Sequence, residues 1–288
     1  MRKIQLLMIV AVVVGCAAYV LMQRETSMDG EPSSQAELQP PQAETAQLSE
    51  LVVEREQVHR GDLLLIGPGH PVHEVDQAIE TINLYANKEL LEGFGILDSD
   101  IELPTELLER FTAMIGAAKQ DGVTNFLVTS GYRDKAQQAE LYATNGPEYA
   151  HPPGYSEHES GLALDIGSKQ GKMESAEEGR WLEQHAWRYG FILRYPPDKT
   201  EVTGVPYEPW HYRYVGLPHS AIMKQQGLVL EEYLAQLQEQ GRAEIELDGT
   251  RYEVSYHPVE GDTRLTLPEG ANYTLSGDNI GGVILTTW

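Results

Sequence analysis

The sequence predicts a globular chain that combines helices with strands and ends in a small all-β segment. Residues 161–167 alternate between apolar side chains and small or polar ones, which is typical of a half-buried strand. Apolar residues after Pro104 recur at the three- and four-residue spacing of an amphipathic helix. From residue 243 onward, short alternating runs flank the dipeptide Asp248-Gly249, a strong signal for a β-hairpin.

Further elements of both kinds follow from the same patterns. Additional strands are predicted at 51–66, 126–128, 191–195 and 211–216. Helices are predicted at 105–122, 134–144, 175–190 and 218–240. Ser175 and Glu178 match a capping box at the start of the third helix, and Gly227 is expected to interrupt the fourth.

Composition restricts both the class of the protein and its partners. The 288 residues are 41% hydrophobic and 23% charged, a balance that supports one well-buried domain with appendages. The formal net charge of -23 argues against nucleic-acid binding, because a phosphate backbone repels such a surface. Cys16 is the only cysteine, so no disulfide forms within the chain, and stability depends on the core or on a metal.

The N-terminal residues predict attachment to a membrane. Arg2 and Lys3 precede an apolar run at 6–22, which approaches the roughly 20 residues that a helix needs to span a bilayer. We therefore interpret 1–23 as a transmembrane signal anchor that places the rest of the chain on the outer side. A lipoprotein signal with lipidation at Cys16 is the alternative.

The chain beyond this segment divides into three predicted parts. Residues 24–50 are rich in Pro, Gln, Ser and Glu, so we expect a disordered tether. Residues 51–242 form the predicted main domain, and 243–288 form a small all-β appendage.

His158 and Asp165 form the first half of a predicted metal site. Asp165 lies on the polar face of the strand at 161–167, and His158 precedes the glycine at 161 in a segment too polar to continue that strand. A histidine from a loop and an aspartate from a strand are both suitable zinc ligands. A catalytic site also requires a third ligand and a base.

The segment Glu208-Pro209-Trp210-His211 supplies both of these. His211 opens a strand, which is a rigid position for a third ligand. Pro209 lacks an N–H donor and disfavours helical geometry at Glu208, so we expect a bend that brings Glu208 and His211 toward one site. Three protein ligands leave one zinc position for water, and Glu208 can then act as the base.

Arg133 is the predicted cation of the site. It follows the buried strand at 126–128, where its side chain can reach the same region. Hydrolysis of a peptide bond develops negative charge on the carbonyl oxygen, which a cation stabilises. A guanidinium at this position suits either that oxyanion or a substrate carboxylate.

Four motifs in this order resemble the VanY-type D,D-carboxypeptidases, which belong to the LAS metallopeptidases. The motifs are SGYR at 130–133, SxHxxGxAxD at 156–165, GFILRYP at 190–196 and EPWH at 208–211. The resemblance covers about 60–220 and is strongest over 125–216.

This resemblance implies an α+β fold in which an antiparallel sheet with flanking helices carries one zinc ion. The implied metal ligands are His158, Asp165 and His211. The implied base is Glu208, and the implied substrate contacts are Arg133, Gln138 and Ser156. Glu159-Ser160 replaces the Gln-Thr pair that is expected after the histidine, which alters the rim of the pocket but removes no ligand.

The implied activity is removal of the terminal D-alanine from peptidoglycan stem peptides, outside a bacterial membrane. Two alternatives remain open: an L,D-carboxypeptidase acting on tetrapeptide stems, and a peptidoglycan-binding module without activity. The first alternative shares the metal and base motifs, whereas the intact ligands and base argue against the second. The remaining histidines are interpreted as surface or core residues, not ligands: His59, His70, His73, His151, His185, His219 and His257.

Overall fold

A five-stranded sheet lies at the centre of the fold. The computed structural model describes residues 48–73 and 79–288. The predicted anchor at 1–23 and the predicted tether as far as residue 47 lie outside these residues. Over the two described ranges, the structure contains no helix that combines the length and the apolar character required to cross a membrane.

Strands and helices are interspersed as far as Gln240, and five strands follow. The strands are β1 Leu48–Val53, β2 Thr81–Asn83, β3 Phe94–Ile96, β4 Glu102–Pro104, β5 Phe126–Ser130, β6 Ala163–Ser168, β7 Phe191–Leu193, β8 His211–Tyr214, β9 Arg242–Leu247, β10 Thr250–Pro258, β11 Thr263–Pro268, β12 Tyr273–Gly277 and β13 Gly282–Thr287. The α-helices are α1 Thr105–Gln120, α2 Lys135–Asn145, α3 Glu177–His185, α4 Thr200–Thr203, α5 His219–Gln226 and α6 Leu230–Gln240. The 3₁₀ turns are Arg55–His59, Lys88–Leu90, Glu157–Ser160 and Ala186–Tyr189.

The central sheet has the strand order β3-β5-β6-β8-β7. Its neighbours are antiparallel except for β3 and β5, which run parallel. Leu164 and Ile166 project from β6 into the same apolar cluster as Phe111 and Met114 from α1, and all four side chains are fully buried. The alternation of β6 and the apolar stripe of α1 are therefore confirmed, and the fold is α+β.

Local signals in the sequence set several boundaries correctly. Asp134 caps α2 and accepts a hydrogen bond of 2.7 Å from the backbone N–H of Gln137. Gly227 separates α5 from α6 with a φ of 66°. Asp248 and Gly249 turn the hairpin of β9 and β10 with φ values of 50° and 80°, as the Asp-Gly pair predicts.

Residues 63–66 do not form the predicted strand. The backbone N–H of Leu63 donates to the hydroxyl of Ser276 at 2.8 Å, and the carbonyl of Leu64 accepts from Arg213 at 2.8 Å. Side chains thus satisfy backbone groups that a neighbouring strand would otherwise pair. Apolar periodicity does not distinguish such a buried irregular segment from a buried strand.

The predicted capping box of Ser175 and Glu178 is also wrong. The helix α3 begins at Glu177, and its N-cap position makes no side-chain hydrogen bond. The carboxylate of Glu178 instead accepts from the hydroxyl of Ser168 at 2.8 Å and from the backbone of Asn125 at 3.3 Å. Glu178 therefore connects the helix to the edge of the central sheet.

The C-terminal segment is all-β, as predicted, and it packs against the rest of the chain. Its strands form a sheet of order β12-β13-β10-β9, while β11 pairs with β1. Val254 and Ile284 lie in one apolar cluster with Ile222 and Leu234 from α5 and α6. Residues 48–50, which the sequence assigns to the tether, form the first half of β1.

Candidate active site

Asp165 and His211 meet because they lie opposite each other on neighbouring strands. They are direct partners in the antiparallel pair of β6 and β8, and such partners project from the same face. Oδ1 of Asp165 is 3.1 Å from Nδ1 of His211. On the other side of β6, a bulge after Val128 places Ser130 opposite Asp165. Bulges recur beside active sites because they change the direction of side chains.

His158 reaches the same point from the 3₁₀ turn that precedes β6. Gly161 ends this turn with a φ of 72°, and a Cβ there would lie 2.8 Å from Cγ of Pro104. Both the backbone conformation and the space therefore favour glycine. The resulting reversal places Nε2 of His158 at 3.4 Å from Oδ1 of Asp165.

The three side chains fit a metal ion in the type and direction of their donors. Their ligand atoms lie within 4.8 Å of one another, and they are the only such group of His, Cys, Asp or Glu across 48–73 and 79–288. Nδ1 of His158 lies 2.7 Å from the carbonyl oxygen of Gly131, which only accepts, so we assign the proton to Nδ1. Nε2 of His211 lies 3.1 Å from the carboxylate of Glu157 and keeps its proton there, so Nδ1 is the nitrogen that can release a proton and bind a metal. The two nitrogens that are suited to a metal, Nε2 of His158 and Nδ1 of His211, both face Asp165.

Charges around the site hold these groups in distinct protonation states. Burial raises the pKa of Asp165, but its contacts with the two histidines outweigh burial and lower the pKa below the usual range. Burial and the charge of Arg133 lower the pKa of His158. Burial lowers the pKa of His211, but hydrogen bonds to Asp165 and Glu157 outweigh it and raise the pKa to about 9. A metal must therefore displace a proton from His211, which weakens metal binding as the pH falls.

Glu208 lies beside these ligands because the chain turns at Pro209 and Trp210. The backbone N–H of His211 donates to the carbonyl of Glu208 at 3.2 Å, which closes the turn. Oε2 of Glu208 is 3.9 Å from Nδ1 of His211. Burial raises the pKa of Glu208, which brings this carboxylate closer to the pH range in which a general base operates.

Arg133 is held in place by three side chains. Its Nε donates to Oε1 of Gln138 at 2.8 Å, its Nη1 donates to the hydroxyl of Ser130, and its Nη2 lies 3.4 Å from the hydroxyl of Ser156. Gln138 also donates to the carbonyl of His151 at 2.7 Å, so both ends of its amide are engaged. Arg133 is therefore a positioned cation at the edge of the site.

One cavity of about 240 Å³ brings the predicted residues together. It is lined by Arg133, Ser156, His158, Asp165, Glu208 and His211. Gln138 does not line the cavity and contacts Arg133 instead.

Sequence reasoning missed part of the cavity wall. The sequence predicts an ordinary surface or core histidine at position 151, yet His151 lines the cavity together with Tyr195 and Trp210. The ring of Tyr195 packs against that of His211, with 5.0 Å between centroids. Trp210 is 40% exposed. The position of His151 shortly before Ser156 was the available signal.

A buried charged cluster behind the metal site was also missed. Both Arg194 and Arg213 donate to Oε1 of Glu157, at 2.8 Å and 2.6 Å. Arg194 also forms a two-point contact with Glu231, at 2.9 Å and 2.7 Å. Burial raises the pKa of Glu157, but the two arginines and His211 outweigh it and hold the pKa well below the usual range. Motif spacing gives no signal for a residue that acts behind the ligands.

Glu159, which replaces the glutamine expected after His158, binds the loop beside the site. Its carboxylate accepts from the backbone N–H of Gly154 at 2.9 Å and from that of Ser156 at 3.2 Å. Glu159 therefore holds the loop that carries Ser156 and is not one of the three predicted ligands.

Comparison with known proteins assigns the chain to a family. The VanY family model, described as D-alanyl-D-alanine carboxypeptidase, matches residues 100–217. A D-alanyl-D-alanine carboxypeptidase from Enterococcus faecium is 49% identical over 239 residues, which cover 83% of this chain and 79% of the relative.

Two solved structures share the fold. The crystal structure of the vancomycin resistance D,D-dipeptidase VanXYg, in complex with a D-Ala-D-Ala phosphinate analogue, matches with a TM-score of 0.73 and 28% identity, over 84% of this chain and 99% of that one. The LD-carboxypeptidase LdcB matches with a TM-score of 0.52 and 27% identity, over 59% of this chain and 84% of that one. From the family match and the similarity to the enterococcal enzyme, this chain belongs to the VanY family of D-alanyl-D-alanine carboxypeptidases.

Proposed function

We propose that this protein is a zinc-dependent D,D-carboxypeptidase that removes the terminal D-alanine from peptidoglycan stem peptides. The observation that carries the proposal is the convergence of His158, Asp165 and His211 beside Glu208 and Arg133 in one cavity. The enterococcal relative with 49% identity supports the D,D specificity.

The proposed cofactor is one zinc ion per chain, held by Nε2 of His158, a carboxylate oxygen of Asp165 and Nδ1 of His211. Two imidazoles and one carboxylate are a typical donor set of catalytic zinc, in which three protein ligands leave a position open. When bound, zinc supplies the Lewis acidity that makes water reactive near neutral pH.

Glu208 is the proposed general base and acid. It accepts the proton of the attacking water and then donates it to the nitrogen of the departing D-alanine as the peptide bond breaks. Its position 3.9 Å from His211 places it next to the proposed ligands. Its raised pKa allows it both to take and to return a proton.

Arg133 is the proposed recognition residue for the free carboxylate of the substrate. Its contacts with Gln138, Ser130 and Ser156 engage three of the five N–H groups that a guanidinium carries. The other two suit a bidentate contact with a carboxylate. Such a contact restricts cleavage to the end of a peptide, which is the specificity of a carboxypeptidase.

The location is part of the proposal and rests on the sequence alone. Arg2 and Lys3 with the apolar run at 6–22 support a single membrane anchor, or a lipoprotein signal at Cys16, at a bacterial cell membrane. Fractionation of expressing cells tests this directly. The full chain is expected in the membrane fraction, and recovery in the cytosolic fraction would contradict the proposal.

The activity is tested by following D-alanine release by the purified full chain with zinc. The substrates are a pentapeptide stem ending in D-Ala-D-Ala, a tetrapeptide stem ending in one D-Ala, and free D-Ala-D-Ala dipeptide. We expect release from the pentapeptide, loss of release with a chelator, and recovery when zinc is restored.

The other outcomes separate the alternatives. Release from the tetrapeptide alone would identify an L,D-carboxypeptidase. This outcome is included because the LD-carboxypeptidase LdcB shares the fold. Release from the dipeptide alone would identify a D,D-dipeptidase. Zinc binding without any release would leave a peptidoglycan-binding module.

A further inference from the structure

We propose that Glu157 is a positioning residue that fixes the orientation and the tautomer of His211. The inference rests on the proposed function, because it assigns His211 to a metal. Glu157 makes no contact with substrate in this proposal. It acts through His211, and two buried arginines determine which of its oxygens is available.

The contact between Glu157 and His211 determines which ring nitrogen carries the proton. Oε2 of Glu157 lies 3.1 Å from Nε2 of His211, and both side chains are almost completely buried. An ionised carboxylate only accepts hydrogen bonds, so Nε2 must be the donor. In the neutral ring the lone pair is then on Nδ1, the nitrogen that faces Asp165 at 3.1 Å. Metal ligation through Nδ1 requires this tautomer.

The arginines separate the roles of the two carboxylate oxygens. Arg194 and Arg213 both donate to Oε1 of Glu157, at 2.8 Å and 2.6 Å. Oε2 is thereby left for His211. The side chains of Arg194 and Arg213 are 1% and 0% exposed, so water does not substitute for either contact.

Arg213 extends this arrangement to the C-terminal strands. Its Nη2 donates to the backbone carbonyls of Asp62 and Leu64, at 2.9 Å and 2.8 Å. The intervening Leu63 donates its N–H to the hydroxyl of Ser276 on β12 at 2.8 Å. A continuous series of hydrogen bonds therefore runs from the C-terminal segment to His211.

Substitution of Glu157 is expected to change the tautomer of His211, which substitution in a purely structural ion pair would not do. Glu157→Gln keeps the size of the side chain but replaces one oxygen by an NH₂ group. The two arginines are donors, so they will hold the remaining oxygen. The NH₂ group will then point at Nε2 of His211 and require that nitrogen to accept. The proton moves to Nδ1, which can no longer bind a metal.

The test measures zinc affinity of the full chain by competition with a chromophoric chelator. We expect Glu157→Gln to weaken zinc binding by about 10- to 100-fold, the usual effect of losing a partner that orients a ligating histidine. Glu231→Gln is the matched control, because it removes the other carboxylate on Arg194 without touching His211. Its zinc affinity is expected to stay at the wild-type value. Equal zinc affinity of folded Glu157→Gln and wild type would overturn the proposal.

A measurement on the wild type covers the case in which Glu157→Gln fails to fold. Nitrogen–proton correlation spectra of the zinc-loaded full chain report which nitrogen of His211 carries the proton. We expect a slowly exchanging proton on Nε2, and ligation of zinc through Nε2 would refute the inference. Neither readout depends on D-alanine release, so a failure of the proposed enzymatic activity is distinguishable from a failure of this inference.

Discussion

At the scale of single residues, the nitrogen that each histidine offers to a metal depends on which ring nitrogen a neighbouring residue binds. His158 offers Nε2 because the carbonyl of Gly131 occupies Nδ1, and His211 offers Nδ1 because Glu157 occupies Nε2. The sequence predicted that His158, Asp165 and His211 lie together because their motif spacing and strand alternation are visible in the chain. It did not identify Glu157, since a buried carboxylate behind a ligand depends on partners from distant segments.

Substitution of the proposed base Glu208 is expected to reduce turnover without weakening metal binding. Glu208→Gln keeps the shape of the side chain but cannot accept a proton, so kcat is expected to fall by about 10²- to 10⁴-fold. Zinc affinity is expected to stay unchanged, because Glu208 is not among the three ligand residues. The exposed Glu201→Gln on α4 is the matched control and should retain full activity. Substantial turnover by Glu208→Gln would assign the base to another group.

Arg133 is expected to act on the free carboxylate of the substrate. Wild-type enzyme should hydrolyse a pentapeptide far better than the same peptide with an amidated C-terminus. Arg133→Lys keeps the charge but loses the bidentate fork. The lost contact with the free carboxylate is worth roughly 1–3 kcal/mol of transition-state binding, and kcat/KM for the free acid should fall accordingly. The amidated peptide should be affected much less. An equal loss for both peptides would indicate that Arg133 stabilises the oxyanion instead.

At the scale of elements, errors of prediction occurred where side chains replaced backbone partners. The segment 63–66 is apolar and buried, yet its backbone groups bind Ser276 and Arg213 in place of a strand. Glu178 has the spacing of a capping residue, but Ser168 on the sheet holds its carboxylate. By contrast, α1 and β6 were predicted correctly because each packs one continuous apolar face against the other. The spacing of apolar residues therefore predicts an element correctly where that element packs through one continuous apolar face. It fails where side chains from distant segments bind the backbone.

A buried histidine joins three of these elements and makes their packing sensitive to pH. His219 on α5 contacts the hydroxyl of Tyr233 on α6 at 2.7 Å and that of Thr286 on β13 at 3.2 Å. Burial lowers the pKa of His219 to about 3. The folded state therefore favours the neutral ring. Stability from this group is complete above the unfolded pKa of about 6.5 and is lost as the pH falls toward 3.

His219→Gln tests this linkage because glutamine does not titrate in this range. Between about pH 6.5 and pH 5, wild type should lose about 2 kcal/mol of unfolding free energy relative to the variant, from about 1.4 kcal/mol per pH unit. Urea unfolding of both proteins at the two pH values measures the difference. A difference that does not change with pH would mean that His219 keeps an ordinary pKa in the folded protein.

At the scale of the whole molecule, the C-terminal strands connect the first described strand to the active site. The strand β11 pairs with β1 along its whole length, from Leu48 opposite Pro268 to Val53 opposite Thr263. The loop between β12 and β13 also holds the segment after β1, since Asn279 donates to the carbonyl of Leu65 at 2.8 Å. The resemblance to a known family covered the catalytic motifs and gave no role to these strands. Their role depends on contacts between residues more than two hundred positions apart, such as Asn279 and Leu65, which no local pattern records.

Removal of the C-terminal strands is therefore expected to unfold the catalytic part. A chain of residues 51–242 loses Val254 and Ile284 from the core, and burial of each such side chain is worth about 1.5–3 kcal/mol. It also loses every strand partner of β1 and the loop that holds residues 62–65 near Arg213. We expect 51–242 to be insoluble or to unfold without a cooperative transition, whereas 46–288 should unfold cooperatively in urea. A folded 51–242 that binds zinc as tightly as 46–288 would show that the strands are a dispensable appendage.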